Sequence, residues 1–469
     1  MTIYGIIPIL GKMSGVILVP VFTRMLTPTD YGAQDILVQL AIFIAFLINL
    51  ELYNGVGRIF YEKETLREKR SLVSTGLMTT LIINSLVILM ITFFGKHIYD
   101  LFFDTGEYLT AFKLAMVWAS ISSIYTYLLV IMRYMKKPRI YLLFVGVQLI
   151  IRLVVSIILV AVVKLNVQGV ILGHIACELA SILMFGVYLR KYLTVAFERH
   201  DSRKILSFSL PLVPAVLIIS FEKPLMRYLV AHYLPISDLG LFSAAFQIAA
   251  LLGIMQYGLR LAWYPHLFEI VDKKDFNKEI QGIFSIVLDS IACLAFLLIF
   301  NSSLVMRLLT APAYYAGRGM IGVLVVKFVI DIVRQIVGCG PAITKQTKYN
   351  MIFEFIGTAA SLIFFLLLHK QIGIYGLVAA MLGGALIKFA GGWGLTTKLT
   401  AIRFDVGRPI LIIIALLIVS ILYAMYEPSI LLSLLGSAFV MFLFMIRHGS
   451  RMLNYLKQSH LAKLLAVRS

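Results

Sequence analysis

Long apolar runs, separated by short charged or proline-containing segments, fill the chain from one end to the other. Each run holds roughly 20 residues, the length an α-helix needs to cross the hydrocarbon core of a bilayer. Fourteen are read, at about 3–22, 33–53, 73–95, 110–132, 140–163, 169–189, 205–221, 240–259, 282–300, 319–338, 349–368, 377–394, 409–426 and 430–446. The stretch 205–239 is the least regular, because Pro211, Pro214, Glu222, Lys223 and Pro224 interrupt it. The pattern predicts an all-α integral membrane protein of about 14 transmembrane helices, with no water-soluble domain.

The runs also repeat. Leu26-Thr-Pro-Thr-Asp30-Tyr-Gly32 follows the first run, and Leu234-Pro-Ile-Ser-Asp238-Leu-Gly240 follows the seventh, 208 residues later. Asn166-Val-Gln-Gly169-Val precedes the sixth, and Gly373-Ile-Tyr-Gly376-Leu precedes the twelfth, 207 residues later. Gly and Pro punctuate turns everywhere, so one match means little, but equal offsets have no such explanation. The units hold an even number of spans, so they are parallel repeats about an axis along the membrane normal. The expected organisation is a six-helix bundle at 1–200, a second at 201–400, and two additional helices with a basic cytoplasmic tail at 401–469.

Composition agrees: 61% of residues are hydrophobic and 14% charged, with mean hydropathy +0.95. A soluble globular enzyme is excluded. The net charge of +19 suggests nucleic acid, but the cations lie in short clusters between apolar runs and form no continuous basic surface. They sort by side instead. Loops on the side of the termini, with the tail, hold 28 Lys and Arg; the opposite loops hold 8, Arg24, Lys223 and Arg227 among them; 6 lie inside spans. The positive-inside rule then places both termini in the cytoplasm. Met1 leads almost directly into the first apolar run, so no cleavable signal peptide is expected. Cys177, Cys293 and Cys339 lie in apolar spans without metal-ligand spacing and read as packing residues.

Ionisable groups at membrane depth are costly and mark cavities or partners. The six cations are Lys12, Lys113, Arg152, Lys327, Arg334 and Lys388; the acids include Asp35, Glu178, Asp289, Asp331 and Glu354. Lys327, Asp331 and Arg334 stand at i, i+4 and i+7 on one helical face, either as a cavity-lining stripe or as an internally neutralised pair. Arg152 follows Gln148 at i+4, too deep to snorkel, and is expected to face a central cavity together with Arg334. Lys113 lies near a span end and is read as either cavity-facing or snorkelling. Glu178 and Glu354 each begin or continue a polar stripe, and are candidates for binding a proton or sodium ion or for interhelical hydrogen bonding. No phosphate loop, zinc-ligand spacing or acidic catalytic pair is present, so no cofactor, metal or ATP hydrolysis is expected, and energy would come from a gradient of H+ or Na+ or of the substrate.

Phe22-Thr-Arg-Met-Leu-Thr-Pro-Thr-Asp-Tyr-Gly32 resembles the segment after the first helix of polysaccharide flippases. Ser209-Leu-Pro-Leu-Val-Pro214, Asp238-Leu-Gly-Leu-Phe-Ser-Ala-Ala-Phe-Gln-Ile-Ala249, Ala262-Trp-Tyr-Pro-His-Leu-Phe268 and Gly373-Ile-Tyr-Gly376 are similar to later segments of the same family, in order. Together they resemble the polysaccharide transporter (Wzx-type) branch of the multidrug/oligosaccharidyl-lipid/polysaccharide (MOP) superfamily. The family commonly carries Asp-Arg at the end of the seventh helix; here Glu222-Lys223 stands there, followed by Pro224, and the guanidinium fork is lost.

The resemblance implies a non-enzymatic flippase with two six-helix bundles around a central cavity, in a bacterial cytoplasmic membrane. Its substrate would be an undecaprenyl-pyrophosphate-linked oligosaccharide for surface polysaccharide such as O-antigen or capsule, with membrane lipids and a polysaccharide polymerase of the same pathway as partners. A pyrophosphate needs buried cations, and Arg152, Arg334, Lys327, Lys12, Lys113 and Lys388 are the candidates to bind it. Asp331, Glu178, Glu354 and Asp35 are read as ion-coupling or structural, and Arg24, Glu222 and Lys223 as gate or motif residues. The alternatives are a multidrug exporter or a lipid II flippase of the same superfamily, or a membrane glycan polymerase.

Overall fold

The computed structural model describes residues 2–458 apart from 191, 192, 195, 274, 347, 401, 427 and 428; the side chain of Lys12 lies outside the described residues. The described residues are almost wholly helical, and the fourteen expected spans are all helices. Among the described residues nine helices are long and apolar enough to cross a membrane, and the pair Ile236–Ala249 and Leu251–Ile270, bent by 48° at a one-residue break, passes the same standard when taken together. The seventh, Val213–Tyr233, and the tenth, Arg318–Val337, miss that standard although both are 20 residues or longer. Glu222, Lys223 and Arg227 in one, and Lys327, Asp331 and Arg334 in the other, disqualify them.

The seventh span corrects the sequence reading. Its helix does not stop at 221. A short amphipathic helix, Arg199–Ser209, leads through the single turn Leu210–Leu212 into a helix that runs through Pro224 to Tyr233. Pro211 and Pro214 each occupy a first-turn position, where the missing N–H costs nothing. Lys223 and Arg227 therefore belong to a span and not to an outer loop, which leaves six cations on the side away from the termini.

Helix ends follow local chemistry. Thr27 caps the second span, Pro28–Asn49, in a capping box with Asp30. Thr65 and Glu68 do the same for the third, Leu66–Asp100. The second span packs against the fourth, Leu109–Tyr134, and crosses into the other half to meet the seventh and eighth. The tenth is the buried centre of the C-terminal half, enclosed by the eighth, ninth, twelfth and thirteenth.

The repeated motifs meet one another at the end of the molecule away from the termini, called distal here. A Cβ on Gly32 would overlap Ile236 O, and one on Gly240 would overlap Pro28 O; the nearest backbone nitrogens are then Gly240 N at 3.0 Å and Gly32 N at 3.1 Å. Each contact becomes the other when 208 is added or subtracted, the reciprocity expected of a two-fold contact. Around it Tyr314 donates to Leu26 O at 2.9 Å, Arg24 to Leu308 O at 3.2 Å, and Tyr108 to Asp30 at 3.0 Å. The second and eighth spans are thus closed on each other, backbone to backbone.

Overpacking of a close-packed contact costs about 1–3 kcal/mol, whereas Gly→Ala in an open helix position stabilises by roughly 0.5–1 kcal/mol. Nothing lies within 4 Å of a Cβ on Gly258. Gly240→Ala is expected to lower the thermal midpoint of the purified protein and Gly258→Ala to raise it slightly; equal shifts would mean that the distal crossing is not tight.

Candidate functional site

The tenth span is surrounded by apolar helices on most sides, so its polar stripe has one direction left. It faces a cavity of about 240 Å³ between the two halves. The second, seventh, eighth, eleventh and twelfth spans complete the wall, through Asp35, Glu222, Gln247, Ser361 and Lys388 among others.

The eleventh span, Lys348–Ile372, and the twelfth, Ile374–Leu399, pack on small residues. A Cβ on Gly357 would overlap the Lys388 stem, and one on Gly384 would overlap Ser361. Close backbones of this kind deliver Lys388 across the neighbouring helix into a network. Its ammonium lies 3.2 Å from Glu222 and 3.1 Å from Glu354. Glu354 takes Arg334 Nη1 on its other oxygen at 2.5 Å, and Thr358 donates to Glu222 at 2.8 Å.

Lys327 pairs with Asp331 at 2.7 Å, one turn along the same helix. The stripe is thus both things expected of it: Lys327 and Asp331 neutralise each other within the helix, and Arg334, which lines the cavity with them, takes its partner from Glu354. Across the cavity Arg227 Nε meets Asp35 at 2.9 Å, joining the seventh span to the second. Arg227 was missed in the sequence because the seventh span was ended at about 221, which put it in an outer loop; the signal available was its i+4 spacing from Lys223.

Lys223 differs from the rest. It lines the cavity, is exposed to it, and has no hydrogen-bond or ion-pair partner among the described residues. Five cations line the wall, Lys223, Arg227, Lys327, Arg334 and Lys388. Four carboxylates answer them, Asp35, Glu222, Asp331 and Glu354. Arg334 Nε is also buried without a partner. The chemistry left over is cationic donors without acceptors, which suits an anion with several oxygens.

Several expected residues stand elsewhere. Arg152 does not meet Arg334 in this cavity. It lies in the N-terminal half, where Nη2 bonds His174 Nε2 at 3.2 Å, and Glu178 is buried beside it. One sequence does not fix the azimuth of an apolar helix, and the fifth span turns its polar stripe toward the sixth. Lys113 is exposed at the end of its span, as in the snorkelling alternative. Arg24 belongs to the distal closure. Asp289, unlisted among the site candidates, binds Arg408 and Arg447 and fastens the last two helices.

A family model described as "Polysaccharide biosynthesis protein" matches residues 21–259, half of the chain. No curated protein sequence matches significantly. Among solved structures the fold is similar to the lipid II flippase MurJ in an inward closed conformation, with TM-score 0.72 and 15% identity over 96% of this chain and 100% of that one. It is also similar to an inward-facing multidrug resistance MATE family transporter of the MOP superfamily, with TM-score 0.64 and 13% identity over 84% of this chain and 94% of that one. A mutant of the Vibrio cholerae MATE transporter VcmN matches at TM-score 0.57 and 13% identity over the same shares. These likenesses show a common fold, and with it a multi-pass membrane protein.

Partner loss separates the two lysines of the cavity. Lys388→Met leaves Glu222 with only the Thr358 hydroxyl and Glu354 with only Arg334, each carboxylate about a quarter exposed, and should cost about 1–3 kcal/mol. Lys223→Met breaks no bond and should change stability by no more than about 0.5 kcal/mol. Thermal midpoints in detergent check both; a loss at Lys223 equal to that at Lys388 would show that Lys223 is bonded.

Proposed function

The chain belongs to the polysaccharide biosynthesis protein family, and from that membership we propose that it is a flippase for an undecaprenyl-pyrophosphate-linked oligosaccharide repeat unit. It carries that unit from the inner to the outer leaflet of a bacterial cytoplasmic membrane, with both termini in the cytoplasm, and makes or breaks no covalent bond. The observation that carries the reading is the surplus of cations at membrane depth, with Lys223 unpartnered in the cavity wall.

A pyrophosphate loses its hydration on entering the membrane. Charge-assisted bonds of about 1.5–3 kcal/mol each replace it. Lys223 is available at once, and Lys327 and Lys388, each with three N–H donors, can divide them between their carboxylates and the ligand. At about 240 Å³ the cavity is smaller than the ~300–1,000 Å³ of a drug-sized pocket, so it holds a head group while the glycan extends beyond it. Organic cations, the cargo of a multidrug exporter, would meet a wall whose excess charge repels them.

Alternating access follows from the repeat. The halves touch distally through Gly32 and Gly240 and across the cavity through Asp35 and Arg227. An anion drawing Arg227 from Asp35 would loosen the link between them and favour rocking of one half on the other. Coupling to H+ or Na+ supplies direction, and a polymerase of the same pathway consumes the product at the outer leaflet.

Lys223→Ala, at wild-type protein level, is expected to reduce surface glycan at least tenfold, with lipid-linked oligosaccharide accumulating in the inner leaflet. Lys223→Arg should retain part of the export, since charge is kept and geometry changed. Normal export by Lys223→Ala, or loss of drug efflux in place of glycan export, would overturn the proposal.

A further inference from the structure

The N-terminal half holds a second buried polar cluster, away from the cavity. Its members come from the fourth, fifth and sixth spans, Leu109–Tyr134, Pro138–Ile157 with its π-helical end Ile158–Val162, and Asn166–Leu189. The fifth and sixth approach closely at Gly173, where a Cβ would overlap Ser156 Oγ. Arg152 Nη2 lies 3.2 Å from His174 Nε2. The Trp118 ring covers the imidazole, with centroids 4.1 Å apart and planes at 32°. Ser122 donates to Glu178 Oε1 at 3.3 Å and the Trp118 indole N–H is directed at the same carboxylate, while no bond of normal geometry reaches Glu178 Oε2 or Arg152 Nε, both buried.

A guanidinium only donates hydrogen bonds. Nε2 of His174 must then be the acceptor, so the ring is neutral and carries its proton on Nδ1. A proton arriving at Nε2 would turn that acceptor into a donor and set imidazolium against guanidinium. Arg152 could no longer bond His174. The unpartnered oxygen of Glu178, one helical turn further along the same span, is the acceptor waiting for it.

We infer that His174 is a proton-binding site of the N-terminal half, and that protonation of Nε2 transfers Arg152 from His174 to Glu178. The ligand is a single proton, taken from water onto Nε2; no other bond is made or broken. The charge that acts on His174 directly is Arg152 from the fifth span; Cys177 and Glu178 stand on its own helix and Tyr125 further along the fourth, and these act on one another and on Arg152. The second span, packed on the same helix, carries Asp35, which is bonded to Arg227, and the π-helical turn holds no ionisable residue. His174 is eight residues from the distal end of its helix, about 12 Å by helical rise, and nearer that end than the other. Because Arg152 precedes the π-helical turn, moving its side chain pulls on a helix already unwound at that point. The inference rests on the proposed transport only for what the proton drives.

The test uses Trp118 as reporter, since imidazolium quenches a stacked indole. In the full chain with Trp263→Phe and Trp393→Phe, purified into nanodiscs, Trp118 emission should fall in one step as pH is lowered from 8 to 4. His174→Gln, which keeps an acceptor for Arg152, should remove the step. Glu178→Gln removes the carboxylate that stabilises the charged state, so the midpoint should move to lower pH by about 1–3 units. A step that persists in His174→Gln, no step in the parent protein, or an unmoved midpoint in Glu178→Gln would overturn the site. In vesicles with an imposed pH gradient, His174→Gln should lose the gradient response of glycan flipping; a retained response would overturn the coupling. If the parent protein flips no lipid-linked glycan but shows the step, the transport reading has failed and the proton site stands.

Discussion

A charge inside a membrane needs a partner, and the number of partners is fixed by the chain. Among the described residues, five cations meet four carboxylates around the central cavity. Every carboxylate is engaged, one of them by two cations, and Lys223 is left over. The rest of the architecture is arranged to permit this. Apolar helices close every other side of the tenth span. Glycines at 357 and 384 let the twelfth span bring Lys388 across the eleventh. The second span reaches from the N-terminal half to supply Asp35. A fully neutralised wall would hold the halves together equally well but would offer nothing to an incoming anion.

Much of this was legible in the sequence. Span number, the all-α class and the depth of Lys327, Asp331 and Arg334 follow from hydropathy and helical spacing. The equal offset of the two Gly-terminated motifs pointed to a repeat, and Gly32 and Gly240 do touch reciprocally. What failed has physical causes. The seventh span was ended at about 221, before Pro224, which assigned Lys223 and Arg227 to a loop, yet within a span neighbouring helices tolerate a proline. Spacing along one helix accounts for Lys327 with Asp331, whereas the partner of Arg334, Glu354, stands on the next helix, where spacing gives no signal. The direction in which Arg152 points depends on a helix azimuth that apolar residues all round do not set.

The structure also separates two kinds of polar site. In the C-terminal half the charges line open space and have a surplus of one sign. In the N-terminal half Arg152, His174 and Glu178 are enclosed among helices, and an arginine without a bonded carboxylate stands beside a carboxylate with a free oxygen. The first arrangement suits a large anion; the second suits a proton. Asp35, bonded to Arg227, connects the half that holds one to the half that holds the other.

Direct binding tests the surplus charge most closely. In nanodiscs of neutral lipid, the purified protein should bind undecaprenyl pyrophosphate and not undecaprenol, with affinity that weakens as salt rises and is lost in Lys223→Gln. Equal binding of undecaprenol, or undiminished binding of the pyrophosphate by Lys223→Gln, would contradict the view that the unpartnered cation recognises the head group.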